Sequence, residues 1–497
     1  MPTRTTTAAT RTSAKSQCLR SSGPARATDA VVTIVDRRTA GAGPQHTISR
    51  ASGTTDDETS DTGAPGEPQA AESPFGNFRR RTLETFASLL FGTLVAGLYA
   101  ILTARALGPS GKGLVTVLLL LPALAALVLS GPIELANQYF GARQPETRHR
   151  LLTNSLVVSG IGGVAAALIL LLVGAVGTRF GGSWLELVLT VVTIPLVTAA
   201  RLVAGLILST GRTLTYNLLT PLGQTLLLVF TAGAFLIWSS SALTVISANA
   251  LAQAIAFVAV IAVARISPSR PSGRLLAECV RYGVFGFSAN LVQFLNFRLD
   301  FFLLSALRSS ASVGIYSIAT TLAELIGRIA SSAATILLPR VASGAPGGVA
   351  FTTRVARVVL LATIAAALAL AAVGSFLITL FFGDAFSGAY TPLLVLLPGM
   401  AALALATILA TDLAGRGAPA VLLYGSLIGL VLTCVLNPIL IPLYGATGAA
   451  LTSTIAYTAS TVFVAVVFGR RHGTRLWDVL VPRRGDFRAR AAVGPPA

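Results

Sequence analysis

Charge is scarce in this sequence. Only 11% of its 497 residues are Asp, Glu, Lys or Arg, while 54% are hydrophobic. Soluble proteins carry about 25% charged residues, so a water-soluble globule is excluded. Acid is scarcer than base, with 19 Asp and Glu against 37 Lys and Arg and a net charge of +18. Cysteine is limited to Cys18, Cys279 and Cys434, too far apart to suggest a disulfide framework or a metal cluster, and the three His do not cluster either. No HExxH, nucleophile elbow or Walker A motif occurs. An enzyme, a nucleotide-driven pump and a cofactor-dependent fold therefore have no motif to rest on. The Gly-Pro-Ser-Gly-Lys-Gly run at 108–113 has the composition of a phosphate loop but the wrong spacing. Short alternating segments of the β-barrel kind are missing. So is an apolar h-region before Leu83, which argues against a signal peptide.

What remains is apolar sequence in long runs. From Leu83 to Gly469 such runs recur, each able to cross about 30 Å of hydrocarbon as a helix. The sequence predicts an all-α integral membrane protein with about 12 transmembrane helices, in two six-helix bundles around a central cavity. The spans fall near 83–104, 113–141, 151–176, 184–208, 214–238, 242–264, 280–306, 312–339, 354–382, 388–411, 419–440 and 446–469. The predicted organisation is a disordered cytoplasmic tail at 1–77, an N-terminal bundle at 78–270, a C-terminal bundle at 271–470 and a cytoplasmic tail at 471–497. The first tail is rich in Ser, Thr, Ala, Gly and Pro and cannot build a core.

The excess of base reads as orientation charge, not as a nucleic-acid surface. One set of alternating short loops and tails holds 22 Arg, including Arg79 to Arg81, Arg148, Arg270, Arg354 and Arg470. The other set holds Arg105, Lys112, Arg179 and Arg308. Basic loops stay cytoplasmic, so both termini are expected in the cytoplasm, with the chain multi-pass in the cell membrane. There is also an internal echo. LTARALGPSGKGLVTV (102–117) and LLSALRSSASVGIYSI (303–318) occupy equivalent turns about 200 residues apart, with Gly314 where Gly113 falls, and LYGATGAALTSTIA (443–456) repeats a weaker version. Same-direction halves imply a repeat axis along the membrane normal.

The stretch from Asn290 to Arg340 carries the chemistry. Arg298, Asp300, Glu324 and Arg328 sit deep in apolar spans. Each costs about 2.5–3.5 kcal/mol near the bilayer centre unless it faces a wet cavity or a partner. Asn290, Gln293, Asn296 and Asp300 fall on one helical face. Arg298 points nearly opposite to Asp300 at 100° per residue. Glu324 and Arg328 are four apart and can pair, and the plain alternative for them is a structural ion pair. Arg201 lies more than two turns inside span four, where snorkelling to the interface is the plain alternative. Asn249 and Gln253 repeat the four-residue spacing in span six, although such amides often only bond neighbouring helices. Pro122, Pro195, Pro221, Pro398 and Pro438 interrupt spans, and small residues are dense, which suits helices that rock.

Two runs carry a family resemblance. The first, 104–143, includes Ala104, Arg105, Leu107, Gly108, Pro109, Gly111, Gly113, Pro122, Asn137, Tyr139 and Arg143. The second includes Arg298, Asp300, Val313, Gly314, Tyr316, Ser317, Ala319, Glu324, Pro339 and Arg340. The chain resembles the polysaccharide biosynthesis, or oligosaccharide flippase, family, within the superfamily shared with multidrug and toxin extruders and the lipid II flippase. The likeness extends through topology over 80–470, with recognisable motif in about 80 residues. It implies a flippase that moves a polyprenyl-diphosphate-linked oligosaccharide from the cytoplasmic to the outer leaflet by alternating access, beside a glycan polymerase or glycosyltransferases. On that reading Arg201, Arg298 and Arg328, with Asn290, Gln293 and Asn296, would bind the substrate head. Asp300 and Glu324 would balance charge or hold a coupling proton or sodium ion. The alternative is an ion-coupled drug or metabolite antiporter of the same superfamily. That alternative needs buried acid in the first half, where Glu84, Glu134 and Glu186 all lie near span ends.

Overall fold

The computed structural model describes residues 74–176, 182–344 and 347–481. The expected tail at 1–77 lies outside the described residues up to residue 73, as does the chain end from residue 482. Every element of the described residues is helical.

The first helix, α1 (Pro74–Arg143), is two crossings joined at one residue. Gly108 has φ 64° and ψ −177°, a left-handed value that favours glycine. Pro109 then opens the second arm, where its missing N–H costs nothing. The third crossing is α2 (Arg148–Val157) and α3 (Gly163–Val176), joined through a wider helical turn at Val158–Gly162. α4 (Trp184–Ser209) starts from a reciprocal cap. Glu186 N–H donates to Ser183 Oγ at 3.3 Å, and Ser183 N–H donates to Glu186 Oε2 at 2.6 Å. The fifth crossing is α5 (Thr213–Leu219) and α6 (Leu222–Ile237), and Pro221 stands at the break between them. α7 (Ala242–Ala264) completes the first half.

The second half comprises α8 (Gly273–Leu307), α9 (Ser310–Ala342), α10 (Gly348–Phe382), α11 (Tyr390–Gly415), α12 (Ala420–Tyr444) and α13 (Ala446–His472). A short α14 (Leu476–Leu480) follows within the expected tail, and its Asp478 carbonyl accepts a hydrogen bond from Arg357. Ten helical stretches among the described residues are long and apolar enough to cross a membrane. One of them, Ala87–Arg143, is the two-armed α1. α8 is not among the ten: Arg298 and Asp300, with Asn290, Gln293 and Asn296, dilute its apolar character. Counting both arms of α1 and α8 restores the expected twelve crossings. The chain is an all-α integral membrane protein.

Packing follows the two halves. The arms of α1 pack on α4, α4 on α7, and α6 on α7. In the second half α13 packs on α11 and α12, α9 on α11, and α8 on α12. The halves meet where α1 crosses α8 and α9. These crossings are close enough to require glycine. A Cβ on Gly113 would lie 1.8 Å from the Ser310 carbonyl oxygen, and one on Gly314 would lie 2.0 Å from that of Pro109. The two echoed turns therefore pack reciprocally. Toward the other end of the second arm of α1, where it meets α8, a Cβ on Gly283 would lie 1.8 Å from the Pro132 carbonyl oxygen. There Tyr139 and Tyr282 stack with ring centroids 4.5 Å apart. Lipid offers no hydrophobic drive between helices, so such close backbone contact supplies the association.

Lys112, grouped above with the loop charges, is buried in this packing at 6% exposure. Its ammonium donates to Thr103 Oγ1 at 2.8 Å and stands 5.2 Å from the centre of the Tyr99 ring. The turn folds inward over the bundle, so Lys112 never reaches the interface. Asp412 and Arg416, which sequence position alone puts at the interface, form a two-pronged pair around a fully buried carboxylate that also accepts from Thr352 at 2.6 Å.

Candidate functional site

Two cavities meet at three charged residues. The first, about 570 Å³, lies within the second half between α8, α9, α11, α12 and α13. The second, about 610 Å³, lies between the first arm of α1, the fifth crossing, α8, α9 and the end of α10. Arg298, Glu324 and Arg328 line both.

Arg298 and Glu324 form a two-pronged pair across α8 and α9. Nη1 donates to Oε1 at 2.8 Å and Nη2 to Oε2 at 3.3 Å. Both side chains are 29% exposed to the cavity. A fork-to-fork guanidinium–carboxylate pair is among the strongest hydrogen-bonded contacts. Glu324 therefore does not pair with Arg328, although the four-residue spacing allows it. The bidentate partner on the neighbouring helix offers better geometry than a reach along its own. Arg328 is exposed, and its side chain has no hydrogen bond or ion pair among the described residues. Two cations and one carboxylate leave an excess of one positive charge in an otherwise uncharged cavity wall.

Asn290, Gln293 and Asn296, which share a helical face, line the 570 Å³ cavity, and Arg298 lines it from another side of the helix. Asn296 Nδ2 donates to the Ser426 carbonyl at 2.8 Å, and Ser426 Oγ donates to Gln293 Oε1 at 3.0 Å. Part of this stripe thus ties α8 to α12 while still facing the cavity. Asp300, one turn on, leaves the cavity and enters the core at 1% exposure. Its carboxylate accepts from Tyr316 Oη at 2.8 Å, from Asn437 Nδ2 at 2.6 Å and from Ser453 Oγ. Arg298 and Asp300 point apart, as their spacing dictates. Arg201 does not join this group. Its Nη2 donates to Glu134 Oε2 at 3.0 Å, which ties α4 to the second arm of α1. An acid near the end of the second crossing captures it before it can reach the centre.

Sequence reasoning missed several residues of the site. Tyr457, Thr407 and Thr411 line the 570 Å³ cavity. The two threonines bond backward to Leu403 and Thr407 carbonyls at 2.8 and 2.7 Å, so nothing in the sequence separates them from ordinary helical threonines. Asn437 was findable as a lone amide in an apolar span. Ser453 was not, and Tyr316 was visible only as a residue of the second motif, because their roles exist only once Asp300 is placed between them. Other motif residues hold the scaffold. Arg105 donates to the Phe381 carbonyl at 2.9 Å and to Leu380, capping α10, and Arg308 donates to the Ile441 carbonyl at 3.2 Å and to Pro442, capping α12. Among the described residues no group of three His, Cys, Asp or Glu could hold a metal ion.

No curated protein matches the chain. Several solved structures share its fold. The lipid II flippase MurJ in an inward closed conformation aligns with TM-score 0.70 at 13% identity, over 80% of this chain and 88% of that one. An inward-facing multidrug resistance MATE family transporter of the MOP superfamily aligns with TM-score 0.61 at 14% identity, over 76% of this chain and 94% of that one. The Vibrio cholerae MATE transporter VcmN aligns with TM-score 0.55 at 16% identity, over 82% of this chain and 100% of that one. At these identities the likeness is one of fold. The family described as polysaccharide biosynthesis protein matches residues 79–344, more than half of the chain and all of the first motif, with the second as far as Arg340. This chain belongs to the polysaccharide biosynthesis protein family.

Proposed function

We propose that this protein is a flippase that moves a polyprenyl-diphosphate-linked oligosaccharide from the cytoplasmic to the outer leaflet of the cell membrane by alternating access. The observation that carries the reading is the excess positive charge at Arg298, Glu324 and Arg328, where two cavities meet. An uncompensated cation in an apolar wall is costly. It becomes favourable when an anion is the cargo, and a diphosphate presents pairs of oxygens that a planar guanidinium fork can take bidentately. Leu89, Ile101, Leu325 and Phe381 line the 610 Å³ cavity beside these charges and suit the start of an apolar tail.

In the empty site Glu324 holds Arg298 in place. When the diphosphate arrives it competes for Arg298 and is met by Arg328, and the freed carboxylate then favours release. Asp300, with Tyr316, Asn437 and Ser453, is the candidate for a coupling proton or small cation, because a fully buried carboxylate with three donors and no cationic partner is short of one positive charge. The moving bodies are the halves at 78–270 and 271–470, and both termini lie on the cytoplasmic side. The drug-antiporter alternative needs acid in the first-half cavity, whose walls carry none.

The test is a strain lacking the protein. A polyprenyl-diphosphate oligosaccharide should accumulate on the cytoplasmic leaflet and clear when the wild type is restored. Arg298→Ala, inserted to a normal level, should not clear it. Clearance by that variant would remove Arg298 from the mechanism.

A further inference from the structure

The first half has a cavity of its own, about 290 Å³, walled by Tyr99, Pro122, Thr193, Gln224, Asn249 and Gln253 among others. None of its lining residues is charged. The ammonium of Lys112, over the Tyr99 ring, is committed to Thr103 Oγ1. The amides of the cavity are under-used. Gln253 Nε2 donates to Asn249 Oδ1 at 3.4 Å, a long bond within one helix turn. The Gln224 amide, the Asn249 nitrogen and the Gln253 carbonyl have no hydrogen-bond partner among the described residues. Asn249 is only 5% exposed. These amide atoms are not sealed into the packing but open onto the cavity, so a ligand entering it can take their donors and acceptors. The cavity does not stand alone, since Gln224 and Ala96 also line the 610 Å³ cavity that contains Arg298 and Arg328.

The chemistry on offer is narrow. Carboxamides and a hydroxyl present donors and acceptors together, and a tyrosine ring adds an apolar face. That combination suits the hydroxyls and C–H face of a sugar ring. It does not suit a carboxylate, which would be buried there with no cation among the lining groups. The volume is near the lower limit of small-ligand pockets and equals roughly ten waters at about 30 Å³ each, so it fits a single residue and not an oligomer.

We propose that this cavity binds an uncharged sugar residue of the lipid-linked glycan, close to the diphosphate, while Arg298 and Arg328 hold the diphosphate itself. This rests on the flippase reading above. It adds that the cargo is selected by a neutral sugar at the reducing end, read by Asn249, Gln253 and Gln224.

The test is equilibrium binding to the full chain in lipid nanodiscs with four probes. These are a short polyprenyl diphosphate alone, the same lipid bearing a neutral disaccharide, the same lipid bearing a uronic acid, and the free neutral disaccharide. The neutral-sugar lipid should bind about tenfold tighter than the bare lipid, and the uronate lipid no tighter than the bare lipid. Gln253→Leu and, independently, Asn249→Ala should erase the tenfold gain while leaving the bare-lipid affinity unchanged, and this second readout shows that they fold. Free disaccharide should not compete. The proposal is overturned if the gain survives both variants, if both weaken the bare lipid equally, or if the free disaccharide competes through Gln253 and so marks a soluble-sugar site. Failure of the flippase reading is separate, because the wild type would then not bind the bare polyprenyl diphosphate at all.

Discussion

Arg298 is asked to be both a partner and a binder, and that double duty gives sharp expectations. Its fork to Glu324 at 2.8 and 3.3 Å neutralises it in the empty site. Glu324→Gln should therefore free a cation and tighten binding of a polyprenyl diphosphate about tenfold, while slowing its release. Weaker binding in the same titration would mean that Glu324 itself contacts the ligand. Arg328, whose side chain has no hydrogen bond or ion pair among the described residues, should behave differently. Arg328→Ala should weaken that binding about tenfold with little change in thermal stability, since no such bond is lost. Asp300 is the opposite case. Asp300→Ala would take the acceptor from Tyr316, Asn437 and Ser453, leaving Tyr316 and Ser453 only their mutual bond at 3.2 Å, at about 1–3 kcal/mol for each buried group left unpaired. Its unfolding midpoint in detergent should fall well below those of Arg298→Ala and Arg328→Ala. An unchanged midpoint would show that the three donors find other partners.

The elements depend on glycines where helices of the two halves touch. Gly113 and Gly314 occupy equivalent turns and meet each other's neighbouring backbone at 1.8 and 2.0 Å from a notional Cβ. Neither partner can yield, because both are backbone carbonyls. Gly314→Val should cut transport more than tenfold by forcing this contact apart, whereas Gly233→Ala, with open space around its position, should match the wild type. Equal transport by both variants would mean that the turns do not need to close. Most of this level was legible in the sequence. Apolar run length set the crossings, and Gly108 followed by Pro109 marked the first sharp turn. The echo of 102–117 at 303–318 paired the two turns that pack together. The face carrying Asn290, Gln293 and Asn296 followed from helical periodicity. Partner choice was not legible. Glu324 took Arg298 over Arg328, Arg201 took Glu134, and Lys112 turned inward, because each choice depends on which neighbouring helix stands opposite. Periodicity fixes a side chain's direction but not what it meets.

At the scale of the molecule, the two halves differ in charge in a way that their shared topology does not require. The cavity of the second half carries Arg298, Glu324 and Arg328, and that of the first half is neutral. A symmetric pore would treat both ends of its cargo alike. This arrangement suits a cargo with an anionic centre, an uncharged polar head and an apolar tail. The positive charge of the loops is the basis for expecting both termini on the cytoplasmic side. Tags at both termini should accordingly be protected from a membrane-impermeant reagent in intact cells. The most direct measurement is transport by the purified protein in sealed liposomes. A fluorescent polyprenyl-diphosphate oligosaccharide would be placed in one leaflet and its appearance in the other followed. The account predicts crossing by the wild type and none by Arg298→Ala. Equal crossing by both, or no crossing of the lipid alongside uptake of a cationic drug, would contradict it.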